Sequence, residues 1–257
     1  MSDKFKYNSL GAAIKADDAQ ELEKMLKSDN LIFNSEEEFQ NTINLLLFHA
    51  ASSEEIDCMR VLLDNGANPN YKDIKTGETV IFQAIKFNSE ENFSLLVEKG
   101  ADIDTINSDG NNVIVQWLRN QYELEPNEDG HFHYDIIKTA LDKGIKVDSN
   151  NLHQRNIIHE AFMMFEALYD YGVLSESAIK DVETMVDYMV LKGVSLDQED
   201  LYGKIPAEYI PGVEELDSFF DHFEAVRDGG EVLTQEIVEN KVKNNSSDED
   251  KTIKMKM

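Results

Sequence analysis

Amphipathic helical stretches alternate with short polar turns along the chain, and one such unit recurs four times. A helical stretch ends in a glycine and a polar tail at Leu62–Asn70, Leu96–Asp104, Ala140–Asp148 and Met189–Asp197. The glycines, Gly66, Gly100, Gly144 and Gly193, are spaced by 34, 44 and 49 residues. Glycine readily adopts the left-handed conformation that ends a helix, so these positions predict helix ends. Recurrence at this spacing predicts a repeat array.

A second apolar element begins ten or eleven residues after each of these glycines and predicts the start of the next helix. These elements occupy residues 77–84, 110–117, 154–161 and 203–210. Polar turns ending in glycine precede two of them, at Asn107–Gly110 and Asp200–Gly203.

The second element carries the pattern of a known family. Three copies each keep part of this pattern. Thr79–Ala84 has its threonine, an aliphatic residue and its alanine. Asn156–Ala161 has its histidine, and the copy that begins at 203 has its proline, Pro206. Over roughly residues 8–225 the chain resembles ankyrin repeats, whose unit is a β-turn plus two helices with a T-P-L-H-x-A signature. Residues 112–117 are the weakest copy, and Leu45–Ala51 occupies the same slot in an earlier repeat.

This resemblance implies an all-α solenoid of about five or six helix-turn-helix repeats, with β-turn connections and no true sheet. It also implies that His159 makes a structural hydrogen bond to a neighbouring turn. We expect residues 1–227 to form the repeat domain with N- and C-terminal caps, the latter one amphipathic helix at Pro211–Arg227. We expect residues 228–257 to form an extension, with a short helical stretch at 231–242 and disorder from about 243.

Three segments lengthen the repeats beyond the family pattern. Residues 30–40 lengthen the first link, and residues 123–133 and 166–177 are inserted between helices. We expect the inserts at 123–133 and 166–177 to project from one edge of the stack, either as a binding edge or as drift in tolerant loops.

Charge narrows the range of partners. The chain has 24 Lys and Arg against 51 Asp and Glu, a net charge of −27. Such a chain repels nucleic acid and anionic lipid, and favours a basic protein partner. One cysteine, no apolar run of membrane-spanning length and no signal-peptide pattern indicate a cytoplasmic protein. Secretion into a host cell without a signal peptide stays open.

Candidate chemistry is sparse, and we expect no catalytic residue, metal or cofactor. The sequence lacks a phosphate-binding loop, a dinucleotide fingerprint and a nucleophile elbow. Cys58 lies among acidic residues that disfavour a thiolate. His131, His133 and Asp135 resemble zinc ligands, but contact with a partner or packing on the next helix explains them as well. Ser35, Ser53 and Ser89 precede acidic residues and predict helix N-caps.

The partner-binding residues are expected at the turn tips and on the first helix of each repeat, which line the groove of an ankyrin-like stack. Tyrosine is a favoured interface anchor, and Trp117 is expected in the core. The predicted binding residues are Tyr71, Lys72, Asp73, Ile74, Gln83, Phe87, Thr105, Ile106, Asn107, Arg119, Asn150, Asn151, Leu152, His153, Glu199 and Asp200.

These features predict a non-enzymatic protein–protein interaction module that acts as an adaptor or an inhibitor, with no small-molecule substrate. One alternative is an immunity protein or antagonist that neutralises a toxin or nuclease, and another is a bacterial effector that binds a host protein. An enzyme that uses the inserted loops is a further alternative, to be tested by substituting His131, His133 or Asp135. The pattern leaves open whether the groove or the inserted-loop edge makes the contact.

Overall fold

The structure of the chain is a computed structural model that describes residues 3–28, 33–52, 56–87, 89–123, 134–147, 151–172, 174–229 and 233–241. Its α-helices are α1 (Asp3–Lys15), α2 (Ala19–Leu26), α3 (Glu36–Ala50), α4 (Ile56–Asp64), α5 (Val80–Lys86), α6 (Glu90–Glu98), α7 (Val113–Glu123), α8 (Asp135–Asp142), α9 (Ile157–Asp170), α10 (Glu176–Leu191) and α11 (Asp217–Arg227). Short 3-10 helices lie at Pro206–Tyr209 and Glu214–Leu216, and residues 235–241 are helical. The described residues contain an isolated antiparallel bridge between Lys72 and Thr79 and no strand.

Internal contacts divide the chain into an N-terminal unit, Met1–Ser108, and a C-terminal unit, Asp109–Met257. In the N-terminal unit α1 pairs with α2, α3 with α4 and α5 with α6. The first helices of successive pairs pack on one another, as do the second helices. This is the layering of a helical repeat stack, because each pair buries its apolar face against its neighbours.

The C-terminal unit repeats the same plan with longer helices. α7 pairs with α8 and α9 with α10, while α9 also packs on the 3-10 helix at Pro206–Tyr209. Trp117 is fully buried, which confirms its predicted place in the core. An aromatic cluster fills the far end of this unit, with ring centroids 4.5–6.5 Å apart, and consists of Phe162, Phe165, Phe219 and Phe223. The prediction of an all-α repeat fold is confirmed.

The recurring glycines end helices as predicted. Gly66 and Gly100 have φ of +89° and +90°, values that favour glycine because it lacks a Cβ. The backbone N–H of Ala67 donates to Leu62 O, and that of Gly66 donates to Leu63 O, the pair of bonds that closes a Schellman motif. The same pair of bonds recurs after α6, α8 and α10. The period noticed in the sequence is therefore the period of helix ends.

Several predicted helix starts are also confirmed. Ser35 and Ser89 are N-caps, whose hydroxyls accept from the backbone N–H groups of Glu38 at 3.1 Å and Asn92 at 3.4 Å. Ser53 lies outside the described residues. The predicted C-terminal cap helix begins later than Pro211, because Glu214–Leu216 forms a 3-10 turn before α11.

The interpretation of residues 166–177 as an inserted loop is wrong for most of that length. α9 continues to Asp170 and α10 begins at Glu176, so the extra residues lengthen both helices and leave a short link between them. The apolar residues Leu168 and Ala178 are buried, which explains why the extensions stay helical. The insert at 123–133, apart from the α7 residue Glu123, lies outside the described residues, as does everything beyond 241. The predicted boundary of the repeat domain stays a prediction.

Candidate functional site

The turns between repeats are built around one side chain at a fixed position. Seven residues after each of the four recurring glycines stands an Asp or Asn, and we call this the Asx position. Its members are Asp73, Asn107, Asn151 and Asp200. Asp73 is buried, and its Oδ2 accepts from the backbone N–H groups of Lys75 at 3.1 Å and Thr76 at 2.9 Å. These hydrogen bonds hold the pKa of Asp73 below its usual range.

In the C-terminal unit the Asx position reaches beyond its own turn. Asn151 Oδ1 accepts from the backbone N–H groups of His153 at 2.9 Å and Arg155 at 3.2 Å. Its Nδ2 donates to the buried Glu160 at 2.7 Å. The side chain therefore connects its turn to α9.

Asp200 makes more side-chain hydrogen bonds than Asp73 or Asn151. Its Oδ1 accepts from the backbone N–H groups of Tyr202 at 2.8 Å and Lys204 at 3.1 Å. Its Oδ2 accepts from Arg155 Nε at 3.2 Å and from the Tyr209 hydroxyl at 2.6 Å. Despite its burial, these donors hold the pKa of Asp200 well below the ordinary aspartate range. Asp73, Asn151 and Asp200 thus shape the turns, and their predicted contact with a partner stays a prediction.

The residue that directly follows each Asx position is the turn tip. The tips are Ile74, Ser108, Leu152 and Leu201, and the three aliphatic ones are 92%, 70% and 58% exposed. Ile106, two residues before the tip Ser108, is 58% exposed. Ile74, Leu152 and Ile106 belong to the predicted set, and the structure places all three in solvent.

Sequence reasoning missed Leu201 and the neighbouring Tyr202, which is 64% exposed. The Tyr202 ring stacks on His153 with centroids 6.4 Å apart. The backbone N–H of Leu201 donates to His153 O at 2.9 Å, so these two turns are joined. Counting eight residues from each of the four recurring glycines would have found Leu201.

The other predicted turn residues fall into two groups. Tyr71 is half-buried with its ring 6.3 Å from Phe48, and burial raises the pKa of its hydroxyl. Thr105 is half-buried in a pocket of about 230 Å³ that Asn70 and Asp102 also line. Lys72 and Glu199 are exposed, and Asn107 is half-buried. Asn150 lies outside the described residues.

The predicted first-helix residues differ in exposure. Gln83 is buried, and its Nε2 donates to Glu78 at 2.5 Å. Phe87 is 53% exposed at the C-terminal end of α5. Arg119 is half-buried, with its Nε 3.2 Å from Glu160 on α9. Phe87 is therefore the member of this group most open to a partner.

His159 is confirmed as an architectural residue. Asn156 and His159 form a capping box at the start of α9, in which the Asn156 N–H donates to His159 Nδ1 at 3.2 Å. The opposite nitrogen, Nε2, lies 3.1 Å from Lys204 O in the following turn. Burial lowers the pKa of His159, so the neutral ring is favoured.

Cys58 is buried in α4, as expected of a structural cysteine. Burial, followed by a hydrogen bond with Asp17, raises the pKa of the thiol to about 12. A thiol with this pKa is a poor nucleophile at neutral pH. His131 and His133, the other candidates for chemistry, lie outside the described residues.

None of the helices in the described ranges is long and apolar enough to cross a membrane.

The comparison with known proteins gives a match over the N-terminal repeats. No curated protein matches the sequence. The family model of ankyrin repeats, which generally serve as non-enzymatic protein–protein interaction modules, matches residues 10–107 in three copies. That match, with the repeated helix pairs and their glycine-ended turns, shows that the chain contains ankyrin repeats.

Proposed function

We propose that this protein binds a basic protein partner through its turn tips and acts by occupancy, without catalysis. The observation that carries the proposal is the pairing of a buried Asx side chain with an exposed aliphatic residue directly after it. This pairing occurs at Asp73–Ile74, Asn151–Leu152 and Asp200–Leu201. The Asx hydrogen bonds fix the turn, and the aliphatic residue that follows is more than half exposed to water. Rigid apolar anchors of this kind lose little entropy on binding.

Charge supports a basic partner. The N-terminal unit has 20 acidic and 10 basic residues, and the C-terminal unit has 31 and 14, so the units carry −10 and −17. Both units therefore attract cationic proteins, and association rates fall as salt screens the attraction.

Adaptor and inhibitor differ in what happens to the partner. An adaptor leaves its partner's activity intact, whereas an inhibitor, including an immunity protein against a toxin or nuclease, abolishes it. A bacterial effector is distinguished by having a host protein as its partner. We place the protein in the cytoplasm, or in the cytoplasm of a host cell if it is an effector.

The test is affinity capture from the native cell lysate at low and high salt, followed by a binding titration with the purified captured protein. The tip variant carries Ile74→Ser, Leu152→Ser and Leu201→Ser. The matched control is Tyr169→Ser, which removes a 49% exposed aromatic residue from α9 outside the turns.

We expect a basic protein that the wild type and the control bind alike, and that the tip variant binds at least tenfold more weakly. Affinity should fall further as salt rises. Equal binding by the tip variant would contradict the role of the tips, and salt-independent binding would contradict the role of charge. The captured protein's activity, with and without saturating ankyrin repeat protein, separates inhibitor from adaptor.

A further inference from the structure

A lysine near the end of the described chain sits in an acidic pocket. The C-terminal segment, residues 233–241, brings Lys241 Nζ to 2.7 Å from Glu183 Oε1 and 2.6 Å from Asp187 Oδ2. On the other side of Asp187, His222 Nε2 lies 2.8 Å from Oδ1. The pocket therefore consists of two carboxylates and an imidazole, and an ammonium group fills it.

The pocket belongs to the repeat framework. Glu183 and Asp187 are four residues apart on α10 and so lie on one face of that helix, while His222 lies on α11. The Asp187 side chain is completely buried. A buried carboxylate without a cation is strongly destabilising, so this pocket requires a positive group.

The C-terminal segment is held by few contacts. Among residues 233–241 Val238 is the buried one, and the neighbouring Ile237 is 43% exposed. Lys241, three residues after Val238, supplies the ion pairs. Segments with few buried apolar contacts open more readily than the packed helices around them.

We propose that Glu183, Asp187 and His222 form a lysine-binding site, which the chain's own C-terminal segment fills and which a helical segment of the partner takes over. The bound segment defines what the site recognises: an aliphatic residue followed three positions later by lysine. The proposal rests on the proposed binding of a basic partner and adds a second contact, separate from the turn tips. The C-terminal segment thereby competes with the partner for the site.

The test uses a fluorescently labelled peptide of residues 233–241 as the probe, with the full-length chain as receptor. Val238→Asp with Lys241→Glu releases the chain's own segment. We expect the peptide to bind this released variant at least tenfold more tightly than wild type, because the internal competitor is gone. A peptide with Lys241→Met should lose that binding. EDTA is present throughout, since two carboxylates and a histidine also suit a divalent cation.

Adding Asp187→Asn to the released variant should abolish peptide binding. No binding to the released variant, or equal binding with Asp187→Asn, would overturn the proposal. If circular dichroism shows that Asp187→Asn unfolds the chain, Glu183→Gln replaces it, with an expected tenfold loss, and equal binding again overturns the site.

Amide hydrogen exchange in the single variant Lys241→Met measures independently how firmly the C-terminal segment is held. The Val238 amide should exchange at least tenfold faster than in wild type, and unchanged exchange would show that Lys241 does not hold the segment. The tip variant with Ile74→Ser, Leu152→Ser and Leu201→Ser should bind the peptide normally once its segment is released. The experiments can therefore contradict the proposed role of the turn tips without contradicting the proposed lysine site, and the reverse.

Discussion

The side chain at the Asx position makes different hydrogen bonds in the two units. In the N-terminal unit Asp73 accepts hydrogen bonds from Lys75 and Thr76 within its own turn. In the C-terminal unit Asp200, at the same distance from its glycine, also binds Arg155 of the preceding turn and Tyr209 of the following 3-10 helix. Asp73 and Asp200 both accept hydrogen bonds from the backbone of their own turn. Asp200 also joins its turn to the repeat before it and to the 3-10 helix after it.

The first helices α5 and α9, one from each unit, also differ in the polar contacts at their N-terminal ends. Asn156 and His159 form a capping box that also reaches Lys204 O. At the equivalent start of α5, Phe82 stands in the histidine slot, and Thr79 makes no side-chain cap hydrogen bond. The Thr79 hydroxyl is buried without a partner in the described part of the chain. The start of α5 therefore lacks the polar connection to the next turn that His159 makes at the start of α9, and Asn70 joins the repeats there instead, through Gly100 O and the Asp102 N–H.

The largest expected effect comes from breaking the Asp200 network. Asp200→Ala leaves Arg155, whose side chain is 12% exposed, without its carboxylate, and we expect a loss of about 3 kcal/mol in the free energy of unfolding. The matched change Asp73→Ala should cost less, because it removes hydrogen bonds within one turn. Urea denaturation followed by circular dichroism measures both. Equal losses would show that the connections between repeats add nothing to the turn.

The helix-start comparison predicts two changes of opposite sign. Asn156→Ala removes the cap of α9 and should cost about 1–2 kcal/mol in the free energy of unfolding. Thr79→Asn should stabilise the protein by about 0.5 kcal/mol, because it supplies the missing cap of α5. Thermal and urea unfolding of both variants test this. Destabilisation by Thr79→Asn would mean that the start of α5 cannot accommodate an asparagine cap.

A smaller effect is expected on the pH dependence of the free energy of unfolding, through the proton of His222. The hydrogen bond from His222 to Asp187 raises the pKa of His222, while burial and Lys241 oppose the rise. The folded protein therefore holds this proton more tightly than the unfolded chain does. The stabilisation is complete below the ordinary histidine pKa of about 6.5 and is lost as pH rises through the folded value.

The matched variant for this effect is His222→Gln, which keeps a hydrogen-bond donor but does not titrate. The difference in unfolding free energy between wild type and variant should shrink between pH 6 and pH 9. A constant difference would show that the His222–Asp187 contact does not depend on the proton.

The smallest expected effect is at the turn tips. Ile74 is 92% exposed, so Ile74→Ser should change the free energy of unfolding by less than about 0.5 kcal/mol, as is usual for surface positions. Urea denaturation measures it beside Asp73→Ala. A large loss from Ile74→Ser would show that the tip supports the turn and would contradict its proposed role as a binding anchor.

Local chemistry explains why much of the fold was predictable. Gly66, Ser35 and Ser89 act on the backbone within a few residues, so their roles follow from the sequence. The same reasoning placed Asp73 and Asp200 at the turns but did not predict their hydrogen bonds, because the pattern does not show which way a side chain points.

Contacts distant in sequence were not predictable. Lys241 and Asp187 are 54 residues apart, and no local pattern joins them. The residues at 166–177 were expected to form a loop, because a longer spacing between glycines does not distinguish a loop from a longer helix. Burial of Leu168 and Ala178 decides the matter, and it depends on packing.

Arg155 has a mechanical consequence. Its guanidinium binds Asp200 and the Tyr209 hydroxyl, 45 and 54 residues further along the chain. A pulling force applied at the C-terminal end would reach α9 through this connection as well as through the backbone. The last turns of the array should consequently resist stretching together and give way in one step, whereas turns closed only on themselves can peel away singly.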